Sequence, residues 1–167
     1  MMRVRGGSIA LSFLVAFALP AAAQQPARAR TRAQELVEET VARHPELHGL
    51  ELALLSDSGC ATVAATAPED IGERCDEDEL GPIRTGRADI EAPSRADPVY
   101  DITQALHDPS GAVIGAVGMD LAPRRGETEA TALRRAHSIL GELEAQIASR
   151  AALLEPASPA PSRLPRP

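Results

Sequence analysis

Two hydrophobic periods alternate along this chain, one of helices and one of strands. From Thr31 to Arg43 (TRAQELVEETVAR) the less polar positions Leu36, Val37, Thr40 and Val41 recur at helical spacing. Thr31 stands where an N-cap belongs, with Gln34 three residues on, as a capping box would place it. His44-Pro45 ends the helix, because the residue before proline is pushed out of the helical region. Leu47 to Leu55 (LHGLELALL) then reads as a strand and Cys60 to Ala65 (CATVAA) as another. Ser56-Asp57-Ser58-Gly59 between them predicts a hairpin with a four-residue loop.

The next segment breaks both periods. Seven of the eleven residues from Glu69 to Glu79 are acidic, which predicts a solvated loop or short-helix face. A short helix over Asp76 to Leu80 is expected, ended by Gly81-Pro82. Arg87 to Glu91 reads as a short strand, and the two prolines in Ala92 to Pro98 as a loop. Val99 to Leu106 (VYDITQAL) is β-branched and aromatic enough for a strand. Asp108-Pro109-Ser110-Gly111 suits a type I turn, and Ala112 to Leu121 is the partner strand. From Glu127 to Leu154 one long helix is predicted, with Leu133, Ala136, Leu140, Leu143 and Ile147 as its apolar stripe. The tail from Glu155 is Pro-rich and reads as extended or disordered.

Ahead of these elements lies a different pattern. Arg3 and Arg5 precede an apolar run from Ile9 to Leu19, followed by Pro20 and Ala21-Ala22-Ala23. That order describes a secretory signal peptide over residues 1–23, cleaved after Ala23, with a flexible arm over 24–30. A spanning helix needs about 20 apolar residues, and this run is shorter and closed by proline. The expected location is therefore periplasmic or secreted, with no membrane insertion after leader removal. The rest, residues 31–154, suffices for one domain.

Charge and composition narrow the partners. Loss of Arg3 and Arg5 with no acid takes the formal net charge from −7 to −9. An acidic surface disfavours nucleic acid and anionic lipid. Phe13 and Phe17 fall in the leader, so Tyr100 is the one aromatic residue beyond it. Tyr100 is either a core residue with a bonded hydroxyl or a pocket wall. Cys60 and Cys75, an isolated pair in an exported chain, are expected to form a disulfide.

No enzyme motif assembles: G-x-S-x-G, H-E-x-x-H and a phosphate-binding glycine loop are all missing. The contiguous acids Asp76 to Glu79 lack the alternation and central glycine of a calcium loop, so no metal site and no cofactor are expected. Gly115 and Gly118 fall within a strand, where close backbone packing explains them better than phosphate chemistry.

The element order, with the hairpins GLELALLSDSGCATVAAT and VYDITQALHDPSGAVIGAVGMDL and the segment EDIGERCDEDELGPIRTG between them, resembles the periplasmic PAS-like sensors called Cache domains, in their short single-domain form. The likeness covers roughly residues 31–121. It implies an α+β fold: an antiparallel sheet of about five strands flanked by an N-terminal helix and a long C-terminal helix, with a small-molecule pocket on one sheet face. It also implies a free-standing sensor-type module that binds a small molecule and acts through a separate partner, and not an enzyme. The chain lacks the several aromatics that accompany an arginine in the family's amino-acid-binding set, so ligand identity does not transfer.

Strand alternation does not say which face is inward, so candidate ligand contacts come from both: Tyr100 on one, Asp101 and Thr103 on the other, and Asp120 on the following strand. Arg84 and Arg87 follow the short helix and are placed to meet an anionic ligand. The alternative reading is an interaction module with a closed pocket, whose C-terminal helix uses its stripe to dimerise or to dock on a receptor.

Overall fold

A computed structural model describes residues 30–157. The leader, the arm up to residue 29 and the tail from residue 158 lie outside the described residues. Chain order is α1 (Arg32–Arg43), β1 (Leu47–Ser56), β2 (Gly59–Ala65), a 3-10 turn (Pro68–Asp70), α2 (Glu77–Thr85), β3 (Asp89–Glu91), β4 (Tyr100–His107), β5 (Val113–Leu121), α3 (Glu129–Glu144) and α4 (Arg150–Leu154). The strands form one five-stranded sheet in the order β2-β1-β5-β4-β3, with every pair antiparallel. The α+β, PAS-like fold class expected from the sequence is the one observed.

The apolar periods decide which face of the sheet is dry. Leu50, Leu52, Ile102, Val117, Met119 and Leu121 alternate with polar or small neighbours on β1, β4 and β5 and are all but fully buried. They pack in one core with Leu36 and Val37 of α1, Ala136, Leu140 and Leu143 of α3, and Leu153 of α4. The stripe on α3 is therefore spent inside the domain. Leu154, 52 % exposed, is the one large hydrophobic residue open to solvent among the described residues. The apolar helix face that the docking alternative required is not on the surface.

Local chemistry sets the element ends. The Thr31 side chain accepts from the Gln34 backbone N–H at 3.2 Å. Gln34 does not complete the capping box. Its amide instead donates to the Ala65 carbonyl at 3.0 Å and accepts from the Ala65 N–H at 3.2 Å, tying α1 to the end of β2. Ser56 and Gly59 pair across the first hairpin, so its loop holds only Asp57 and Ser58, shorter than expected. Asp108 opens the second hairpin as predicted: its carboxylate accepts from the N–H groups of Ser110 and Ala112, and Gly111 takes the left-handed φ of +82°.

Two helices depart from the sequence reading. α2 does not stop at Gly81-Pro82 but runs to Thr85 and ends on Gly86 in the left-handed conformation. Gly81 carries no Cβ to clash with the Pro82 ring. The Thr85 hydroxyl donates back to the Gly81 carbonyl at 2.8 Å, and the Asp76–Glu79 capping box secures the other end. The expected helix over residues 127–154 is two: α3 ends at Glu144, and α4 begins where the Ser149 side chain accepts from the Ala152 N–H at 3.1 Å. That competing cap breaks the rod, and the bend lets Ile147 and Leu153 both reach the core. After α4, Pro156 bridges Thr31, and the Ala157 N–H donates to the Arg30 carbonyl, so the tail's first residues are paired with the start of the domain.

Candidate functional site

The opposite sheet face carries polar and small residues in cross-strand rows. One row reads Gly49, Asp120, Asp101, Glu91 across β1, β5, β4 and β3. The next reads Glu51, Gly118, Thr103, Asp89. Directly opposed like charges, as at Asp101–Asp120 and Asp101–Glu91, weaken a sheet rather than hold it.

Glycines shape this floor. A Cβ on Gly49 would lie 2.1 Å from an Asp120 carboxylate oxygen, so the Asp120 side chain occupies the space above Gly49. A Cβ on Gly118 would meet nothing nearer than 3.8 Å, the Cβ of Glu51, with the Thr103 hydroxyl at 3.9 Å. Gly118 is thus the low point of the second row.

Above the floor stands the acidic segment, solvated as expected, with five of its seven acids exposed. Its backbone is also strapped to β2. The Thr62 N–H donates to the Glu73 carbonyl and the Gly72 N–H to the Thr62 carbonyl, each at 2.9 Å, and Ala61 bridges Arg74. The expected Cys60–Cys75 disulfide is present. Cys75 immediately precedes Asp76, the N-cap of α2, so the cross-link sits at the root of that helix.

Between floor and strap lies a cavity of about 250 Å³. Six carboxylates line it: Glu51, Asp101 and Asp120 from the sheet, Asp70 from the 3-10 turn, and Asp78 and Glu79 from the first turn of α2. His48, Thr66 and Thr103 add neutral or titratable polar groups, and neither arginine nor lysine reaches the lining. At about 30 Å³ per water the space equals roughly eight waters, enough for a small metabolite.

Crowding of acids shifts their titration. Asp101 is pushed up to about 6, first by partial desolvation on the sheet floor and then by the charges of Asp120, Glu91, Asp78 and Asp97. Desolvation also raises Asp120, where Asp97 adds to the effect and His48 opposes it. Glu51 is raised by burial, although the Thr62 hydroxyl donating at 2.6 Å pulls the other way. Burial likewise raises Glu79, while the neighbouring Asp76 charge is the main cause at Asp78.

The residues singled out from the sequence divide between this cavity and elsewhere. Asp101, Thr103 and Asp120 come together in its lining. Tyr100 lies on the helix-covered face, 6 % exposed, its hydroxyl donating to the Glu127 carbonyl at 3.2 Å. Arg84 sits on the outer side of α2, paired with Glu77 at 2.5 Å. Arg87 is exposed, and its backbone N–H donates to the Thr85 hydroxyl. The lining also includes Gly49, Glu51, Asp70, Asp78, Glu79 and Gly118, which the sequence did not mark as ligand contacts. Period-2 alternation from Asp101 would have found Glu51 and Gly118 once the strand pairing was known. Asp70, Asp78 and Glu79 arrive only through the strap on β2.

No family model matches the chain, and no curated protein matches it. Among solved structures, the GAF domain of a two-component sensor histidine kinase from Bacillus halodurans is 8 % identical, with 68 % of this chain and 91 % of that one covered at a TM-score of 0.49. The repressor BlcR of Agobacterium tumefaciens is 13 % identical over 70 % of this chain and 67 % of its own, at a TM-score of 0.46. The type II free methionine-R-sulfoxide reductase of Thermoplasma acidophilum is 13 % identical over 76 % and 96 %, at 0.45. At that distance these likenesses carry no argument about activity. The fold is the α+β five-stranded antiparallel sheet already described, and any functional reading rests on the geometry of the cavity.

Proposed function

We propose that this chain is an exported sensor-type domain, of the Cache-like kind the sequence resembles, that binds a small organic cation in the acidic cavity and passes the binding event to a separate partner. One observation carries the reading: Asp101 and Asp120 face each other across β4 and β5 on the floor of a cavity whose other titratable groups are four more carboxylates and His48. That arrangement costs the unliganded fold stability, and a bound cation relieves it. The expectation of an anionic ligand met by Arg84 and Arg87 gives way here, because the cavity they were to serve has acids on its walls.

An organic amine or guanidinium fits better than a bare metal ion. Among the described residues no three carboxylate, imidazole or thiol groups converge as a metal would require. The acids are spread over floor and walls, which suits a ligand with distributed N–H donors. Export is supported by the leader pattern and by the Cys60–Cys75 cross-link, which persists in oxidising compartments. The absence of an activated nucleophile among the lining residues favours binding over turnover.

A thermal-shift comparison tests this reading. Putrescine, agmatine and choline are set against malate, glutarate and glucose at equal ionic strength. The expected result is a rise in melting temperature with at least one cation and none with the anions or the sugar. Stabilisation by the dicarboxylates alone would defeat the proposal.

A further inference from the structure

Just beyond the C-terminal end of β5 the charge reverses. Arg124 and Arg125 follow the strand, Gly126 turns the chain, and α3 brings Arg134 and Arg135 back alongside. Together with Thr131 and Glu127 they line a second cavity of about 410 Å³, which shares no residue with the acidic one. Four arginines in one cavity of a chain with formal net charge −7 do not follow from composition.

The one acid in that lining is already committed. Glu127, with its side chain 4 % exposed, takes the Arg135 Nε at 3.1 Å on one carboxylate oxygen. Its other oxygen takes the Arg135 Nη2 at 2.7 Å and the Arg124 backbone N–H at 2.8 Å. Those partners hold the Glu127 carboxyl below its ordinary value against the opposing effect of its burial. Arg135 is nine-tenths buried and spends Nη2 also on the Ala122 carbonyl at 2.8 Å, yet its Nη1 is buried with no acceptor. A buried guanidinium N–H left without a partner is costly and calls for an acceptor. Arg125 and Arg134 form no ion pair among the described residues, and Arg124 has only a 3.5 Å contact with Glu46. The positive N-terminal end of the 16-residue α3 adds to the same field.

We infer that the Arg124–Arg125–Arg134–Arg135 cavity is a binding site for a small oxyanion, a phosphate or a multivalent carboxylate, distinct from the acidic cavity. Planar guanidinium groups match the geometry of such oxygens, and four of them converge on this one space. The site does not depend on the reading of the acidic cavity, and either can fail without the other.

Calorimetric titration of the full exported chain with inorganic phosphate and with citrate at low ionic strength tests the inference, with chloride at matched ionic strength as control. Saturable binding of at least one oxyanion is expected, weakened about tenfold or more in the double variant Arg125→Gln/Arg134→Gln and unchanged in Arg84→Gln, whose guanidinium lies outside both cavities. Which oxyanion saturates identifies the chemical source. The charge-preserving pair Arg125→Lys/Arg134→Lys should keep part of the affinity, and circular dichroism of both pairs confirms that they fold. A response to phosphate and citrate no different from that to chloride would overturn the inference, as would full affinity in the glutamine pair.

Discussion

Gly115 and Gly118 stand three residues apart on β5 and answer to different constraints. A Cβ on Gly115 would lie 1.9 Å from the Ala53 carbonyl oxygen of β1, so that strand pairing depends on its missing side chain. At Gly118 the nearest atom is 3.8 Å away and the added methyl would enter the acidic cavity. Gly115→Ala should therefore cost about 1–3 kcal/mol, as overpacking does, while Gly118→Ala stays within about 0.5 kcal/mol and reduces ligand capacity. Chemical denaturation of the two variants separates them, and equal losses would remove Gly118 from the cavity account. In the sequence both are strand glycines, which either let a neighbour pack close or leave room for a ligand. Close packing holds for Gly115 and open space for Gly118, a division set by which strands flank them.

Asp101 gives a pH dependence whose sign is fixed. Its carboxyl titrates near 6 in the folded chain, against roughly 3.9 in an unfolded one. The folded state thus holds the proton more tightly. Stability falls as pH rises through the window between about 4 and 6, and the full penalty stands above it. Asp101→Asn should flatten this slope and raise the melting temperature at neutral pH, less so in high salt because the site is open to water. Thermal melts across that range check it, and an unchanged slope in the variant would place the shifted carboxyl elsewhere.

At the scale of elements, α2 is the piece that turns a polar sheet face into a cavity. Its capping box and its left-handed Gly86 terminus are local features, and the sequence showed the start of this helix. Its length was hidden because Pro82 is a helix breaker in most contexts and is tolerated here after a glycine. Its position was hidden because the seven acids in eleven residues are solvated, as they read, while the backbone between them is held to β2 by hydrogen bonds and the Cys60–Cys75 link, which acid content does not reveal. The cysteines are 15 residues apart, a loop for which chain-entropy arguments give about 3 kcal/mol. Cys60→Ser/Cys75→Ser should lose stability of that order. Amide exchange over residues 77–85 should accelerate more than over α3. Uniform acceleration would mean that the cross-link steadies the whole domain and not this cap. The C-terminal helix shows the opposite limit: its apolar stripe was plain, but the Ser149 cap that splits it competes with helix only because Ile147 and Leu153 both gain burial from the bend.

Seen whole, the domain separates its duties by sheet face. Helices α1, α3 and α4 cover the apolar face, where Tyr100, expected either as a core residue or as a pocket wall, is a core residue with a bonded hydroxyl; a groove lined by Gln104, Leu133 and His137 stays open beside α3. The polar face, left half-open under α2, gathers the acids. Fold class and element order were readable from two hydrophobic periods. The character of the cavity was not, because it comes from register, which places Asp101 opposite Asp120, and from a strap between distant segments. The most direct test of cation binding is a ¹³C NMR titration of the aspartate and glutamate side-chain carboxyls with putrescine and agmatine. The Asp101 and Asp120 signals are expected to move together and saturably, Asp101 to titrate at lower pH once the cation is bound, and binding to strengthen as pH rises through about 6. Carboxyl signals of Asp101 and Asp120 that stay fixed under both cations, at a pH where the two acids are ionised, would contradict it.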